Sequence, residues 1–357
     1  MIPSVVHVAS GREWRGGQRQ VWLLARELQT LGVNQVVVTT DGSELARRLT
    51  SSGVRVRPAT WRAGLDPRVI QPVLQELRQP ALLHAHDAHA LTLAGLCGML
   101  TRSPLVATRR VTFPLRRRFF WRRACRIIAI SRAVRDALAT DGLEQSQLVL
   151  IPSALDPAAA TAEGVDLRTR VGIPQKGQLA LNLGALTREK DQSTLVAAAA
   201  RLVRDLPDLH WVIVGEGPLH QRLQQQIVRL GVETRVHLLG QLEDPHRALA
   251  GADVFVLSST SEGLGTSVLA AMARGVPVVA TRVGGVPDLL ESGGGMLVEA
   301  SNPGELAGAV RRVLGDPELR QRITLKAGEE LGRFSARGMA EQVLSVYRSC
   351  AHSLDGS

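Results

Sequence analysis

Aromatic side chains are scarce, at 3% of 357 residues. Cysteine is scarcer still: Cys97, Cys125 and Cys350 stand far apart, without metal-ligand spacing. An odd, sparse set of this kind suits a reducing compartment and argues against a disulfide-framed secreted domain. No apolar run reaches the roughly 18–20 residues of a membrane span, and the run around Ala90–Leu100 is too short. The N-terminus leads directly into an apolar strand, Val5–Ala9, with no signal-peptide layout. Low-complexity tracts and solenoid periods are absent. No GxGxxG lies between the first strand and the first helix, which argues against a dinucleotide oxidoreductase. Acids are outnumbered, 33 to 43, for a net charge of +10. That balance favours anionic partners, whether nucleotide phosphates, nucleic acid or anionic lipid. It is also compatible with a basic surface that has no such partner.

What is present is aliphatic and glycine-rich: 45% hydrophobic residues and 34 glycines. This fits a globular α/β protein, and the length suits two domains. Strand-like runs at Val5–Ala9, Val36–Thr39, Val54–Arg57, Leu82–Ala85, Leu105–Ala107, Ile127–Ile130 and Leu148–Ile151 alternate with helical patterns. Ala180–Leu183, Trp211–Val214, Val236–Leu238, Val254–Leu257 and Val276–Ala280 repeat the theme, with helices expected at Asp191–Asp205, Pro218–Leu230 and Ser267–Arg274. Alternation of this kind implies parallel sheets covered by helices on both faces. The boundary is expected in the Ala/Pro-rich stretch Pro152–Thr169. Residues 1–160 then form one Rossmann-like domain, joined by a C-terminal helix at about 336–350, and residues 161–335 form the other, facing it across a cleft.

The stretch Ala252–Pro287 carries the densest signal. A buried strand ends at Leu257, a small polar loop runs from Ser258 to Gly265, and a helix starts at Thr266 or Ser267. Open α/β sheets bind ligands at the carboxyl ends of their strands. Gly263 and Gly265 let backbone approach a ligand, and free N–H groups at the helix start suit a phosphate. Glu262 would repel a phosphate and is better used as an acceptor for sugar hydroxyls. The loop therefore suggests a phosphorylated sugar. The same residues also serve a plain strand–turn–helix.

Other strand ends carry similar chemistry. Gly16-Gly17 lies between the first strand and the first helix. Gly184 follows a strand and leads to Arg188 and Lys190, with Lys190 placed at the start of a helix, where a cation is unfavourable unless an anion binds. Gly215-Glu216-Gly217-Pro218 and Gly284-Gly285 close two further strands. Each also reads as turn chemistry. In His84-Ala85-His86 alternation places both imidazoles on one face. Apart from Asp87 and His89 no third metal ligand has suitable spacing, so His86 is read as a polar group at the site and His84 as a structural one.

Taken together, these motifs in this order resemble the family 4 glycosyltransferases, retaining enzymes of the GT-B fold. The likeness rests on Gly16-Gly17, His84 to His86, Ile130-Ser131, Gly184 to Lys190, Gly215 to Pro218, Ser261 to Gly265, and Gly275 to Ala280 followed by Gly284-Gly285. The resemblance implies a UDP- or GDP-linked sugar donor bound by the second domain and an acceptor bound by the first, with no cofactor and no metal. On it, donor binding falls to Gly17, Gly184, Arg188, Lys190, Gly215, Glu262, Gly263, Leu264, Gly265, Thr266 and Ser267, with Glu262 and Lys190 carrying the chemistry. His86, Arg109 and Arg110 fall on the acceptor side. Three positions depart from the family pattern. Ala270 stands where a second acid usually reads the ribose, Ala185 where an arginine often follows the phosphate-loop glycine, and Thr108 where many relatives have histidine. Position 270 is expected to be open to the ribose, so that a glutamate there would be tolerated.

The segment Arg109–Arg126 holds eight arginines and no acid, with Phe113, Phe119, Phe120 and Trp121 among them. Arginine interleaved with aromatics suits an anionic membrane surface or nucleic acid. Its place in the acceptor domain favours the membrane, and no nucleic acid partner is expected. The reading is a cytoplasmic glycosyltransferase, peripheral on the inner face of the plasma membrane. It would move a sugar from a nucleotide-diphosphate sugar to a glycan or lipid-linked acceptor in polysaccharide or lipopolysaccharide synthesis. The alternative is a degenerate GT-B binding subunit that has lost turnover.

Overall fold

A computed structural model describes residues 4–62, 66–174 and 176–352. The chain divides into two compact units, residues 1–154 with 334–357 and residues 155–333.

In the first unit seven strands form one sheet: β1 (Ser4–Ala9), β2 (Gln35–Thr40), β3 (Val56–Ala59), β4 (Ala81–Ala85), β5 (Leu105–Arg109), β6 (Arg126–Ala129) and β7 (Leu148–Leu150). Their order is β3-β2-β1-β4-β5-β6-β7, and every pairing is parallel. The central strands are buried along their length, as sheets covered on both faces require. Helix Ala336–His352 belongs to this unit. Met339, Val343, Leu344 and Tyr347 enter one core cluster with Val5, Leu24, Leu28 and Leu82.

The second unit holds β8 (Gln178–Leu183), β9 (Leu209–Val214), β10 (Val236–Gly240), β11 (Val254–Leu257), β12 (Val278–Thr281) and β13 (Met296–Val298). Their order is β10-β9-β8-β11-β12-β13, again parallel throughout. Its core joins Trp211, Ile213, Val254 and Val256 to the helices Gln192–Leu202 and Pro303–Gly315.

Both sheets were expected, but some boundaries shift for identifiable reasons. Strand β12 starts at Val278, not Val276, because the Val276 N–H donates back to Ala271 O and closes the preceding helix. Gly275, at φ +69°, makes that reversal possible. Lys190 does not start a helix. It ends a 3₁₀ turn, Arg188–Lys190, and Asp191 then caps the helix Gln192–Leu202 by accepting from Thr194 N. Strand β13 was missed because a three-residue run carries no period. The expected linker holds two short helices, Pro157–Thr161 and Leu167–Val171. Cys125 and Cys350, 225 positions apart, form a disulfide within the first unit. The reducing-compartment expectation did not anticipate that bond, because the pairing depends on where the last helix packs.

Candidate functional site

Each sheet has a topological switch point, where the first strand lies between neighbours whose connections run in opposite directions. In the second unit that point is the β8/β11 junction, and in the first unit it is β1/β4. The loops after these four strands hold most of the residues singled out from sequence.

At β8/β11 the loops bring Lys190 and Glu262 together. Lys190 Nζ lies 2.6 Å from Glu262 Oε1, and the Ser259 hydroxyl donates to the same oxygen at 2.7 Å. Ser258 Oγ donates to the Lys190 carbonyl at 3.0 Å, and Thr260 N donates to Glu189 O at 2.8 Å. The two loops are thus laced together by backbone and side chain. Glu262 is 9% exposed and Lys190 24%. The pair is therefore shielded but open on one side.

Glycine shapes this edge by close approach. A Cβ on Gly284, at φ +52°, would lie 1.8 Å from Glu262 O, and one on Gly215 would lie 2.0 Å from Gly184 O. The β12 and β9 loops therefore press against the backbones that carry Glu262 and Gly184. Gly265, at φ +95°, is the N-cap of helix Thr266–Ala273, with no side-chain cap and no acid in the first turn. The N–H groups of Thr266 and Ser267 are left for another acceptor, and both residues are half-buried. A Cβ on Gly184 would meet the Lys190 stem at 3.6 Å, an ordinary contact distance. Leu264 is 2% exposed and packs inward, so only its backbone can meet a ligand. Arg188 is exposed. Ala270 is 1% exposed, inside the core face of its helix. Position 270 is closed, which corrects the expectation that it faces a ribose.

At β1/β4 the loop ends are also tied: Ser10 N and Oγ both donate to the Asp87 carboxylate, at 2.8 and 2.6 Å. Asp87 in turn caps helix Ala88–Thr101. Three buried imidazoles lie just below. His7 Nδ1 is 2.9 Å from His86 Nε2, and the His84 ring lies tilted against His86 at 4.0 Å between ring centroids. His84 is held at both nitrogens, by Tyr347 Oη at 2.6 Å and Thr108 Oγ1 at 2.7 Å. A Tyr347 hydroxyl donating to Nδ1 leaves Nε2–H to donate to Thr108, one neutral tautomer that satisfies both. Burial lowers the pKa of all three rings, His7 to about 4. Arg110 is pulled down to about 10 by burial, opposed by Asp87. Its Nε is buried without a partner, and its stem lies 3.7 Å from where a Cβ on Gly17 would stand. Arg109 donates to the carbonyls of Val111 and Phe113 and lies over Trp121.

Among the described residues His7, His84 and His86 are the group whose nitrogens approach closely enough to share a metal. The donor set does not favour one. A metal would have to take His84 from Thr108 or Tyr347 and break the His7–His86 hydrogen bond, beside the buried cation Arg110. Sequence reasoning found His84 and His86 but missed His7 and Tyr347. His7 had one signal, an imidazole inside the apolar run Val5–Val8. Tyr347 had none, because it comes from a helix 263 positions away from His84.

Comparison with known proteins agrees with this architecture. Residues 14–159 match the model described as Glycosyltransferase Family 4, and residues 166–329 match Glycosyl transferases group 1. A 2-deoxystreptamine glucosyltransferase of Streptomyces kanamyceticus is 30% identical over 93% of this chain and 100% of its own length. The chain belongs to the family 4 glycosyltransferases. The lipopolysaccharide core biosynthesis glycosyltransferase LpsE of Rhizobium meliloti is 31% identical, over 51% of this chain and 53% of that protein. Among solved structures, HepE of Anabaena in complex with UDP-glucose aligns with a TM-score of 0.84 at 22% identity, covering 97% of this chain and all of that one. WaaG, a glycosyltransferase involved in lipopolysaccharide biosynthesis, aligns at 0.73 and 16% identity over 96% and 99% of the two chains. The fold is GT-B.

Proposed function

We propose that this glycosyltransferase takes its sugar from a nucleotide-diphosphate donor, UDP- or GDP-linked, bound at the β8/β11 switch point, and transfers it with retention. The observation that carries this reading is the Lys190–Glu262 pair beside the uncapped helix start at Thr266. As the glycosidic bond to the diphosphate breaks, negative charge grows on the departing oxygens. Lys190 and the N–H groups of Thr266 and Ser267 would offset that charge, and preorganised donors of this kind supply much of an enzyme's rate. Glu262 would accept from the sugar hydroxyls and orient the ring. The HepE complex with UDP-glucose favours UDP among the donors.

The acceptor would bind in the first unit, around His86, Arg109 and Arg110. The basic, aromatic segment Arg109–Arg126 favours a lipid-linked or anionic glycan at an anionic membrane surface. The LpsE and WaaG names favour lipopolysaccharide or related polysaccharide synthesis. No helix among the described residues is long and apolar enough to cross a membrane; the attachment proposed is peripheral, through that basic segment.

A thermal-shift screen of the purified protein against UDP, GDP, ADP and their sugars, followed by donor-turnover assays on the nucleotide that stabilises it, tests the reading. Stabilisation by one nucleotide diphosphate with turnover of its sugar is expected. Stabilisation without turnover or transfer would favour a binding subunit.

A further inference from the structure

The first unit contains a cavity of about 520 Å³ between the start of helix Ala88–Thr101 and the segment 109–121. That volume falls within the roughly 300–1,000 Å³ range of small-molecule sites. Leu91, Phe113 and Phe120 supply apolar wall, while Arg109, Arg116 and Arg117 supply charge, and no acid lines it. Phe120 is fixed in place: a Cβ on Gly95 would fall 2.2 Å from its ring, so the helix approaches the aromatic through a glycine. Arg116 and Arg117 are exposed and have no ion pair among the described residues, whereas the neighbouring Arg118 pairs with Asp141 at 3.3 Å.

Exposed apolar side chains stand at the cavity wall. Val111 and Phe113, two of the ten exposed large hydrophobics among the described residues, line it, and a third, Phe119, adjoins the lining residue Phe120. Exposed apolar side chains at a concave site mark a ligand or partner. Here it is interspersed with arginines, as on surfaces that enter an anionic lipid interface. Ala88, on the cavity wall, directly follows Asp87 at the β1/β4 switch point. Arg109, proposed for the acceptor side, is itself on that wall, so the cavity borders the proposed acceptor site.

We infer that this cavity binds the hydrocarbon next to the phosphate of a lipid-linked acceptor, with Arg116 and Arg117 meeting the phosphate. The inference rests on the proposed reading of the first unit as the acceptor side. Only a ligand with hydrocarbon and anion side by side matches both the wall and the rim. A sugar phosphate leaves the apolar wall unused, and a neutral lipid leaves two unpaired arginines.

The test uses the full-length protein and three soluble probes: farnesyl phosphate, inorganic phosphate and farnesol, each titrated calorimetrically. Farnesyl phosphate is expected to bind at least about tenfold more tightly than inorganic phosphate, a margin that burial of about two methylene groups already supplies. It is expected to bind at least about tenfold more tightly than farnesol, a margin that one charge-assisted hydrogen bond supplies. Thr92→Trp places an indole in the cavity from a helix position outside the proposed catalytic groups, and should remove that preference. Arg116→Ser with Arg117→Ser should bring farnesyl phosphate down to the level of farnesol. Equal binding of farnesyl phosphate and inorganic phosphate would overturn the inference, as would a preference that survives Thr92→Trp. Stronger binding of a single-stranded oligonucleotide, displacing farnesyl phosphate, would also overturn it. Cosedimentation with anionic vesicles separates this from membrane docking. Vesicle binding without a chain preference overturns the cavity assignment alone. Chain preference without vesicle binding supports the cavity and overturns the docking surface.

Discussion

Lys190 Nζ and Glu262 Oε1 lie 2.6 Å apart although 72 residues separate them in sequence. Each was singled out for its own loop, and their pairing follows from the adjacency of β8 and β11. It explains how a lysine beside a helix start is tolerated: Glu262 meets its charge. At the proposed donor site an arriving diphosphate would compete with a carboxylate for the ammonium, and Glu262 would release Lys190 as it turned to the sugar.

Glu262→Ala is expected to lower transfer at least about 100-fold, in the range of other lost transition-state partners. The melting temperature should fall by no more than a few degrees, because the pair is part-exposed and Lys190 can turn to water. Near-normal turnover, or activity lost only in proportion to folded protein, would remove Glu262 from the site.

Ala270→Glu is expected to destabilise the second unit by several degrees without improving donor affinity. A carboxylate at a position 1% exposed, with no cation shown beside it, must be buried or displace the core. A stable variant with tighter donor binding would show that position 270 is reachable by a ribose after all.

The His7 cluster makes stability depend on pH. His7 has a folded pKa of about 4 against an ordinary 6.5, so it stays neutral when folded. Its stabilising contribution is intact above pH 6.5 and is lost as pH falls through about 4, because the unfolded chain takes up the proton first. The two values correspond to about 3 kcal/mol. Depressed His84 and His86 act in the same direction. Thermal unfolding of the wild type between pH 7 and 4 should therefore decline more steeply than that of His7→Gln. Parallel curves would contradict the assignment.

Reduction of Cys125–Cys350 should destabilise the first unit by about 3–5 kcal/mol, as expected for a bond closing a long loop. Cys350→Ser should show a similar loss and no further response to reductant. An unchanged melting curve for wild type in reductant would mean that the thiols are not bonded in solution.

Arg116→Ser, Arg117→Ser and Arg118→Ser together should weaken binding to anionic vesicles roughly thirtyfold. Each basic residue near such a surface contributes about 1 kcal/mol, and Arg118 is already engaged by Asp141. Cosedimentation with anionic and neutral vesicles measures this, and equal binding to both would exclude the surface.

The strands were legible because buried parallel strands leave unbroken apolar runs, and the edge that joins Lys190 and Glu262 because glycine is dense where loops approach one another. Gly284 and Gly215 stood out as doublets or turn residues, and the structure gives each a backbone it must clear. Contacts between distant segments left less trace. Nothing near His84 announces Tyr347, and nothing near Cys125 announces Cys350, because both partners arrive on the final helix. Position 270 was misread because family spacing names a residue type without showing whether its side chain faces the ligand or the core.

The most direct test of the donor site is calorimetric titration of wild type and Lys190→Ala with UDP and uridine, and with GDP and guanosine. A charge-assisted hydrogen bond contributes roughly 1.5–3 kcal/mol. The variant should therefore lose about ten- to hundredfold in affinity for the diphosphate the wild type prefers, while its affinity for the matching nucleoside stays nearly unchanged. Equal losses for nucleoside and diphosphate, or no loss for either, would contradict a diphosphate held by Lys190 at the β8/β11 switch point.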